Sequence, residues 1–196
     1  MIIRNAFKDI LIEPALKGCD QLVIVSGYAT SAMAYHHLLN LHEQKKSAIE
    51  IKLIIGMTPL DGISLSNHSG FKRIMTDYFP GKFECSYKVN NPPIHSKVYI
   101  WLCNGTPTVG FIGSANYTQT AFISNRQGEA LVECPAQQAF EYYESLIEDT
   151  IYCNLQDSEE VIQIFNDKTY RKRKGVIKTE AQELVHLQPD ISSLEN

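Results

Sequence analysis

The first half of the chain alternates apolar runs with longer amphipathic segments. Apolar runs at residues 21–28 and 49–57 predict two buried strands, and residues 83–89 alternate as a third strand does. The segments between these runs are long enough for helices, and Thr30 or Ser31 is placed to cap the first of them.

Three helices of substantial length are predicted. The first continues to about Lys46, the second spans about Asn67 to Phe79, and the third runs from Gln137 to about Tyr152. Strands that alternate with helices predict an α/β fold, in which helices flank a β-sheet on both faces.

The middle of the chain has a different character. Residues 95–103 and 108–114 are strand-like runs separated by Asn104-Gly105-Thr106-Pro107, and residues 128–134 form another such run. Asn-Gly between two strand-like runs is a strong signal for a β-hairpin. We therefore predict that the first two of these strands form an antiparallel hairpin.

Four polar side chains are predicted to meet on one face of this hairpin. Side chains two residues apart on a strand share a face, so those of His95 and Lys97 point to the same side. Ser114 and Asn116 form a second such pair if the chain stays extended. A two-residue loop places His95 opposite Ser114, and a four-residue loop places it opposite Asn116. The two registers differ by an even number of residues, so both place the four side chains on the same face of the hairpin. A register shifted by one residue would contradict this.

These residue types suit phosphoryl transfer. A neutral imidazole such as that of His95 acts as a nucleophile or as a general acid and base near pH 7. Lys97 supplies a fixed positive charge for phosphate oxygens, and Ser114 and Asn116 add neutral donors. Gly113 is expected to let the backbone approach a ligand closely. No cluster of carboxylates accompanies them in the sequence, so we predict a reaction that uses neither a metal nor a cofactor.

Charge is distributed unevenly along the chain. The net charge of −4 argues weakly against a nucleic-acid partner, but residues 168–178 hold six of the 18 basic residues and no acid. Such a stretch either binds phosphate backbones or is a solvated linker, and the sequence leaves both open. The candidate contacts to a nucleic-acid backbone are Lys168, Arg171, Lys172, Arg173 and Lys174.

The five cysteines are widely spaced and include no Cys-x-x-Cys pair, which argues against a zinc ribbon. Four of them lie in apolar surroundings, and we interpret all five as reduced thiols of a cytoplasmic protein. The longest apolar runs are of strand length and no signal peptide is predicted, so we expect no membrane association.

The spacing of the polar residues resembles the signature of the phospholipase D superfamily, which is His-x-Lys followed by Gly-Ser-x-Asn. Here the two parts read His95-Ser96-Lys97 and Gly113-Ser114-Ala115-Asn116, with 15 residues between them, and an acid follows at Glu129. The resemblance covers roughly residues 20–150 and implies a phospholipase D-like mixed β-sheet. The commonest motif has Asp five residues after the Lys, where this chain has Leu102.

The resemblance implies a role for each residue of the motif. His95 is expected to attack phosphorus and form a phosphohistidine, while Lys97 and Asn116 bind the phosphate. Ser114 is expected to support the phosphate site, and Glu129 to orient the imidazole. A second histidine protonates the leaving oxygen in this superfamily. Because this chain has one His-x-Lys copy, the resemblance implies a homodimer with the active site shared at its two-fold interface.

The single motif, the missing Asp and the phrase Val25-Ser26-Gly27-Tyr28 make the chain most similar to the phospholipase D-type restriction endonucleases, which are metal-independent DNases. The resemblance implies a nuclease domain at residues 1–153, with DNA as its partner, and a polar and basic extension or linker at 154–196. A separate DNA-recognition domain usually follows, and this chain is too short to include one. We therefore expect a catalytic fragment or a stand-alone nuclease.

Two other functions stay open. A phospholipid phosphodiesterase or phosphatidyltransferase would use the same motif, but the small size, the single motif and the missing membrane signals count against it. A non-catalytic nucleic-acid-binding module would keep the fold without turnover, but the intact His95, Lys97 and Asn116 count against that. Ser26 and Tyr28, at the end of a predicted strand, either line the site or belong to the core.

Overall fold

The computed structural model describes residues 6–44, 46, 48–124 and 128–171. The strands in these residues are β1 (Gln21–Ser26), β2 (Glu50–Ile55), β3 (Ile63–Ser64), β4 (Phe83–Lys88), β5 (Lys97–Cys103), β6 (Thr106–Gly113), β7 (Leu131–Cys134), β8 (Thr150–Tyr152) and β9 (Ile164–Phe165). The helices are α1 (Glu13–Leu16), α2 (Ser31–Glu43), α3 (Thr58–Asp61), α4 (Leu65–Arg73), α5 (Gln119–Phe122), α6 (Ala136–Ile147) and α7 (Ser158–Val161), with π-helical segments at Phe7–Ile12 and Ile74–Tyr78. None of these helices is long and apolar enough to cross a membrane.

Seven strands form one mixed sheet in the order β7-β6-β5-β1-β2-β4-β8. β1, β2 and β4 run parallel to one another, whereas β5, β6, β7 and β8 each join their neighbours in antiparallel pairs. A parallel connection needs a crossover of a dozen or more residues, and the segments that contain α2 and α4 supply these crossovers. β1 therefore lies at the centre of the sheet, between a parallel and an antiparallel neighbour.

Helices cover both faces of the sheet, and this confirms the predicted layer arrangement. One face packs against α2, α4 and the N-terminal helical segment, around fully buried side chains such as Trp101 and Phe71. The other face packs against α6 around a smaller cluster that includes Val23 and Tyr143. Because successive side chains of a strand face opposite ways, β1 contributes to both clusters.

The helices predicted in the first half of the chain are confirmed, and their starts have the expected caps. The side chain of Thr30 accepts a hydrogen bond from the backbone N–H of Met33 at the start of α2. Ser64 caps α4 in the same way, through the N–H of Asn67. Each cap satisfies a backbone donor that the first helical turn leaves without an intrahelical partner.

The third predicted helix ends earlier than expected. α6 stops at Ile147, and residues 150–152, which were predicted to be helical, form β8. β8 pairs antiparallel with β4, with Ser86 opposite Tyr152. Thr-Ile-Tyr fits a pleated strand well, and the open edge of β4 supplies the backbone partners. That edge is distant in the sequence, so local periodicity gave no sign of it.

β5 and β6 form the predicted hairpin, but its register changes along its length. Cys103 pairs with Thr106 across a two-residue loop, which is one of the two loop lengths that the sequence left open. A β-bulge then shifts the register by one residue, so that Val98 pairs with Ile112. A shift of one residue reverses which side chains share a face. The prediction that strand parity brings the four polar side chains together is therefore wrong.

Cys19 and Cys103 form a disulfide bond, so the prediction that all five cysteines are reduced is wrong for this pair. Cys19 precedes β1 and Cys103 ends β5, and the antiparallel register that places Gln21 opposite Leu102 brings the two cysteines together. A separation of 84 residues hides this proximity in the sequence. The free thiols in the described residues belong to Cys85, Cys134 and Cys153.

The chain continues to pack against the rest of the fold beyond residue 153, where the sequence predicted the start of an extension. β9 pairs in parallel with β3, with Ile63 opposite Ile164. The carboxylate of Asp167 accepts a hydrogen bond from the backbone N–H of Ser66 in the first turn of α4. The packed part of the chain therefore reaches at least to Asp167.

His37 is buried in α2 and connects the N-terminal segment to the loop that follows β6. Its Nε2 donates to the carbonyl oxygen of Leu11 at 2.8 Å, which leaves Nδ1 to accept from the hydroxyl of Tyr117 at 2.9 Å. Burial lowers the pKa of His37 from 6.5 to about 4, since a charged imidazole loses its hydration there. The neutral form of His37 is therefore part of the folded structure.

Acidification is expected to destabilise the fold through His37. Its pKa is lower in the folded chain than in the unfolded chain, so the unfolded state takes up the proton first and stability falls as the pH drops from 6.5 towards 4. Between pH 7 and pH 4.5 we expect His37 to account for a loss of about 2–3 kcal/mol in the free energy of unfolding. Urea unfolding at both pH values measures this loss.

Two variants isolate the contribution of His37. His37→Gln is expected to be less stable than the wild type at pH 7 but to lose less stability on acidification. His42→Gln, on the exposed part of the same helix, should keep the wild-type dependence on pH. Equal losses in the wild type and in His37→Gln would show that His37 does not set the acid sensitivity.

Candidate active site

The candidate site lies at the edge of the sheet where the parallel strands β1 and β2 end. The backbone N–H of Ile94 donates to the carbonyl oxygen of Gly56 at 2.9 Å, which brings the segment before β5 to this edge. β5 then runs antiparallel to β1, with Lys97 directly opposite Ser26. Ligand sites in α/β folds commonly lie at the carboxyl ends of the parallel strands.

Lys97 lies against the imidazole of His95. Its Nζ is 3.0 Å from Nδ1 and 3.2 Å from Nε2, and it also donates to the backbone carbonyl of His95. Lys97 is buried, whereas His95 is exposed. Burial lowers the pKa of Lys97, and the negative charge of Glu129 acts in the opposite direction. An ammonium group is thus held beside an imidazole that a reactant can reach from solvent.

Asn116 comes close to His95 at Gly27, the turn residue that follows β1. A Cβ atom at Gly27 would lie 3.1 Å from Cδ2 of His95 and 3.4 Å from Oδ1 of Asn116. Both side chains therefore border the same glycine, whose missing side chain leaves room for them. The convergence predicted for His95 and Asn116 exists, but the turn after β1 produces it and the hairpin parity does not.

The side-chain oxygen of Asn116 is held by the end of β1. It accepts a hydrogen bond from the backbone N–H of Tyr28 at 3.0 Å and lies 3.4 Å from Oγ of Ser26. An amide group that presents its oxygen to one side presents its NH₂ to the other. The nitrogen of Asn116 therefore faces away from β1 as a hydrogen-bond donor.

Ser114 and Glu129 contact each other at the rim of the site. The hydroxyl of Ser114 donates to the carboxylate of Glu129 and accepts from the backbone N–H of Ala130 at 3.1 Å. The negative charge of Glu129 also opposes the lowering of the Lys97 pKa by burial. Ser114 thus links Glu129 to the segment that carries the second part of the motif. The contact through which Glu129 would orient His95 stays a prediction.

Gly113 is required by the packing of two strands. A Cβ atom at Gly113 would lie 2.0 Å from the carbonyl oxygen of Ala130, where β6 pairs with β7 and Gly113 lies opposite Leu131. The group that approaches Gly113 closely is therefore the neighbouring strand. The expectation that Gly113 opens the backbone to a ligand is wrong.

Tyr28 forms a wall beside the imidazole of His95. The two rings meet edge to face, with 5.9 Å between their centroids and 80° between their planes. The Tyr28 hydroxyl donates to the carboxylate of Asp61. Burial raises the pKa of Tyr28 and the hydrogen bond to Asp61 raises it further, so the phenol stays protonated at neutral pH. Asp61 is not recognisable as a site residue in the sequence, because Asp61-Gly62 is typical of a turn.

Lys168 and Arg171 are the candidate backbone contacts that lie in the described residues, and both are exposed. They follow β9, which pairs with β3 two residues after Asp61, the hydrogen-bond partner of Tyr28. The segment therefore comes near the wall of the candidate site. The other predicted contacts, Lys172, Arg173 and Lys174, lie outside the described residues.

The chemistry that these side chains offer is nucleophilic. Their charged groups include the ammonium of Lys97 and the carboxylates of Glu129 and Asp61. Each of the two carboxylates accepts a hydrogen bond from a hydroxyl group. Within the described part of the chain, no three His, Cys, Asp or Glu side chains are grouped so that they could hold a metal ion. An exposed imidazole with a fixed cation beside it can attack an electrophilic phosphorus.

The chain matches one family model over most of its length. The model describes the NgoFVII restriction endonuclease N-terminal PLD domain, where PLD stands for phospholipase D, and it matches residues 5–160. A search among curated proteins found no match.

Several solved structures resemble this chain at low sequence identity. NucT from Helicobacter pylori is 15% identical with a TM-score of 0.49, and the match covers 78% of this chain and 96% of that chain. Nuc from Salmonella typhimurium, a phospholipase D family member, is 15% identical with a TM-score of 0.48, covering 72% and 87%. Phosphatidylserine synthase from Haemophilus influenzae is 16% identical with a TM-score of 0.48, covering 87% and 42%.

Proposed function

The chain belongs to the family of the NgoFVII restriction endonuclease N-terminal PLD domain, and from this we propose that it is a restriction-type nuclease domain that cleaves DNA without a metal ion. Membership in the family confirms the predicted phospholipase D-like fold and makes the protein a phosphodiester hydrolase. The DNA substrate, the covalent intermediate on His95 and the metal-independent reaction are the parts that we propose.

One observation carries the proposal. The ammonium of Lys97 lies 3.0 and 3.2 Å from the two ring nitrogens of an exposed His95. An imidazole is an effective nucleophile, and a fixed cation beside it stabilises the negative charge that builds up on phosphate oxygens during attack. This arrangement supports the proposed attack of His95 on a phosphodiester.

The proposed reaction has two steps. A ring nitrogen of His95 forms a bond to phosphorus while the bond from phosphorus to the leaving oxygen breaks, and that oxygen takes a proton from a second imidazole. Water then attacks phosphorus, the second imidazole takes a proton from the water, and the P–N bond to His95 breaks. Each step leaves the enzyme ready for the next, because the second imidazole regains the proton that it gave.

We propose that Lys97 and the amide nitrogen of Asn116 bind the phosphate oxygens. The burial of Lys97 and the orientation of the Asn116 amide support these roles, because both groups are held in place before substrate arrives. Ser114 is proposed to support the phosphate site through its hydrogen bond to Glu129. Glu129 is proposed to orient the imidazole of His95, as the third member of a catalytic group does.

The second imidazole is proposed to come from a second copy of the chain. The chain has one His-x-Lys sequence, and its His95 is exposed. In a homodimer whose two-fold axis passes through the site, both copies of His95 would face one phosphate, one as nucleophile and one as acid.

The segment that begins at Lys168 is proposed to contact the DNA backbone. Lys168 and Arg171 are exposed, and the strand β9 that precedes them pairs with β3, two residues after Asp61 at the wall of the site. Cations in this position would bind phosphates on either side of the cleaved bond without reading sequence.

The proposal predicts that the purified protein nicks supercoiled plasmid DNA in the presence of excess EDTA. Because the nucleophile, the cation and the donors are all side chains, chelation is expected to change the rate by less than about twofold. The conversion of supercoiled to open-circular plasmid on a gel measures the rate, with His95→Ala as the inactive control.

The other outcomes separate the competing functions. Nicking that stops in EDTA and returns with added Mg²⁺ would contradict the metal-independent reaction. Retained DNA binding without any nicking would favour the non-catalytic binding module. Hydrolysis of phosphatidylcholine vesicles, without cleavage of the plasmid, would favour the phospholipid phosphodiesterase.

A further inference from the structure

Ser26 is the last residue of β1 and is completely buried. It lies directly opposite Lys97 in the antiparallel pair of β1 and β5. Ser26 therefore stands at the floor of the candidate site, although its side chain has no route to solvent and does not touch a substrate.

The hydroxyl of Ser26 joins two chain segments that are far apart in the sequence. It donates to the carbonyl oxygen of Tyr28 at 2.6 Å and accepts from the backbone N–H of Tyr117 at 2.9 Å. It also lies 3.4 Å from Oδ1 of Asn116. One hydroxyl thus ties the turn after β1 to the segment that carries Asn116.

This link bears directly on the orientation of the Asn116 amide. The backbone N–H that holds Oδ1 of Asn116 belongs to Tyr28, and the carbonyl of the same residue is held by Ser26. Tyr117, whose N–H donates to Ser26, is the next residue after Asn116. Ser26 therefore holds Tyr28, whose N–H binds the amide oxygen, and also holds the backbone next to Asn116.

We propose that Ser26 is a positioning residue, which sets the Asn116 amide so that its NH₂ group, rather than its oxygen, faces the phosphate. The inference rests on the proposed function. A rotated amide would turn a lone pair towards phosphate oxygens and replace an attraction by a repulsion. Holding the amide in advance spares the reaction this reorganisation.

A double-mutant cycle tests the proposal with bis(4-nitrophenyl) phosphate and plasmid DNA as substrates. Ser26→Ala is expected to lower kcat/KM by about 10- to 100-fold in the wild-type background. In the Asn116→Ala background the same change should alter kcat/KM by less than about threefold, because the group that Ser26 positions is gone. Equal losses in both backgrounds would overturn the proposal and assign Ser26 a general structural role.

Ser158 supplies a matched control. It is also completely buried, and its hydroxyl donates to the backbone carbonyl of Cys153, away from the site. Ser158→Ala removes the same atom in a comparable environment and should leave kcat/KM within about twofold of the wild type. A loss as large as that of Ser26→Ala would overturn the proposal.

A stability measurement tests the hold on the Asn116 oxygen, on which the role of Ser26 depends, even if Ser26→Ala does not fold or turnover is too slow to follow. Asn116→Asp keeps an oxygen for the N–H of Tyr28, so its thermal midpoint should stay within about 2 °C of the wild type. Asn116→Ala leaves that N–H without its acceptor, and its midpoint should fall by about 3–6 °C. Equal midpoints for the two variants would overturn the proposal that the N–H of Tyr28 holds Oδ1 of Asn116.

The two proposals fail in different ways. If the wild type cleaves neither substrate, the proposed function fails, while the two Asn116 midpoints still report whether the amide oxygen is held. If the wild type cleaves and the cycle shows additive losses, the proposed function stands and the role of Ser26 fails.

Discussion

Replacing His95 with alanine is expected to lower kcat for plasmid cleavage by about 10⁴-fold or more. The imidazole is the proposed nucleophile, and its loss removes the bond-forming group as well as the partner of the Lys97 ammonium. Because His95 is exposed, its truncation opens no cavity, and the thermal midpoint should move by less than about 2 °C. Plasmid nicking under single-turnover conditions measures the loss.

The intermediate gives a second readout for His95. Rapid quenching in SDS should trap an acid-labile adduct between end-labelled DNA and the wild-type protein, and His95→Ala should form none. His42→Ala, on the exposed part of α2, should form the adduct at the wild-type level. A His95→Ala protein that keeps more than about a tenth of the activity would rule out its role as nucleophile.

Mixing the two proteins tests whether one site is shared. If cleavage needs one His95 from each chain, only dimers of two wild-type chains are active. An equal mixture of wild type and His95→Ala, allowed to exchange subunits, should then keep about a quarter of the activity. Independent sites would keep about half, which would contradict the shared site while leaving His95 its role as nucleophile.

The sequence predicted the elements whose formation depends on local pattern. The buried run that became β1 and the cap at Thr30 that starts α2 both depend on neighbouring residues alone. The same holds for the Asn-Gly turn that predicted the hairpin, although its length of two residues was left open. These features agree between sequence and structure because the interactions that fix them span few residues.

The sequence could not predict the geometry that non-local contacts decide. The bulge in the β5–β6 pair changes which side chains share a face, and no residue type in the sequence indicates it. The strand β8 forms because β4 leaves an open edge, which lies far away along the chain. The disulfide between Cys19 and Cys103 likewise depends on strands that become neighbours only in the folded sheet.

The candidate site shows the same division. The motif identified His95, Lys97 and Asn116 by residue type and spacing, and the structure brings them to one edge of the sheet. Their convergence depends on Gly27 and on the contacts of Ser26, neither of which the motif contains. A motif predicts which groups react, whereas the tertiary structure determines how those groups are held.

Replacing Lys97 with methionine is expected to lower kcat by about 10³-fold while the protein stays folded. Methionine fills nearly the same volume but removes the cation beside the His95 imidazole. Burial lowers the pKa of Lys97, which means that the charged form is held less favourably in the folded chain than in water. The thermal midpoint of Lys97→Met should therefore equal or exceed that of the wild type.

A loss of activity in Lys97→Met without a loss of stability would show that the charge of Lys97 serves catalysis. Lys52→Met, which removes a partly exposed lysine that forms an ion pair with Glu84 on β4, should change both quantities little. Lys97→Arg should not restore activity, because a planar guanidinium cannot occupy the place of a compact ammonium in a buried position. If Lys97→Met lost stability in proportion to activity, unfolding would explain the loss and the cation would have no separate catalytic role.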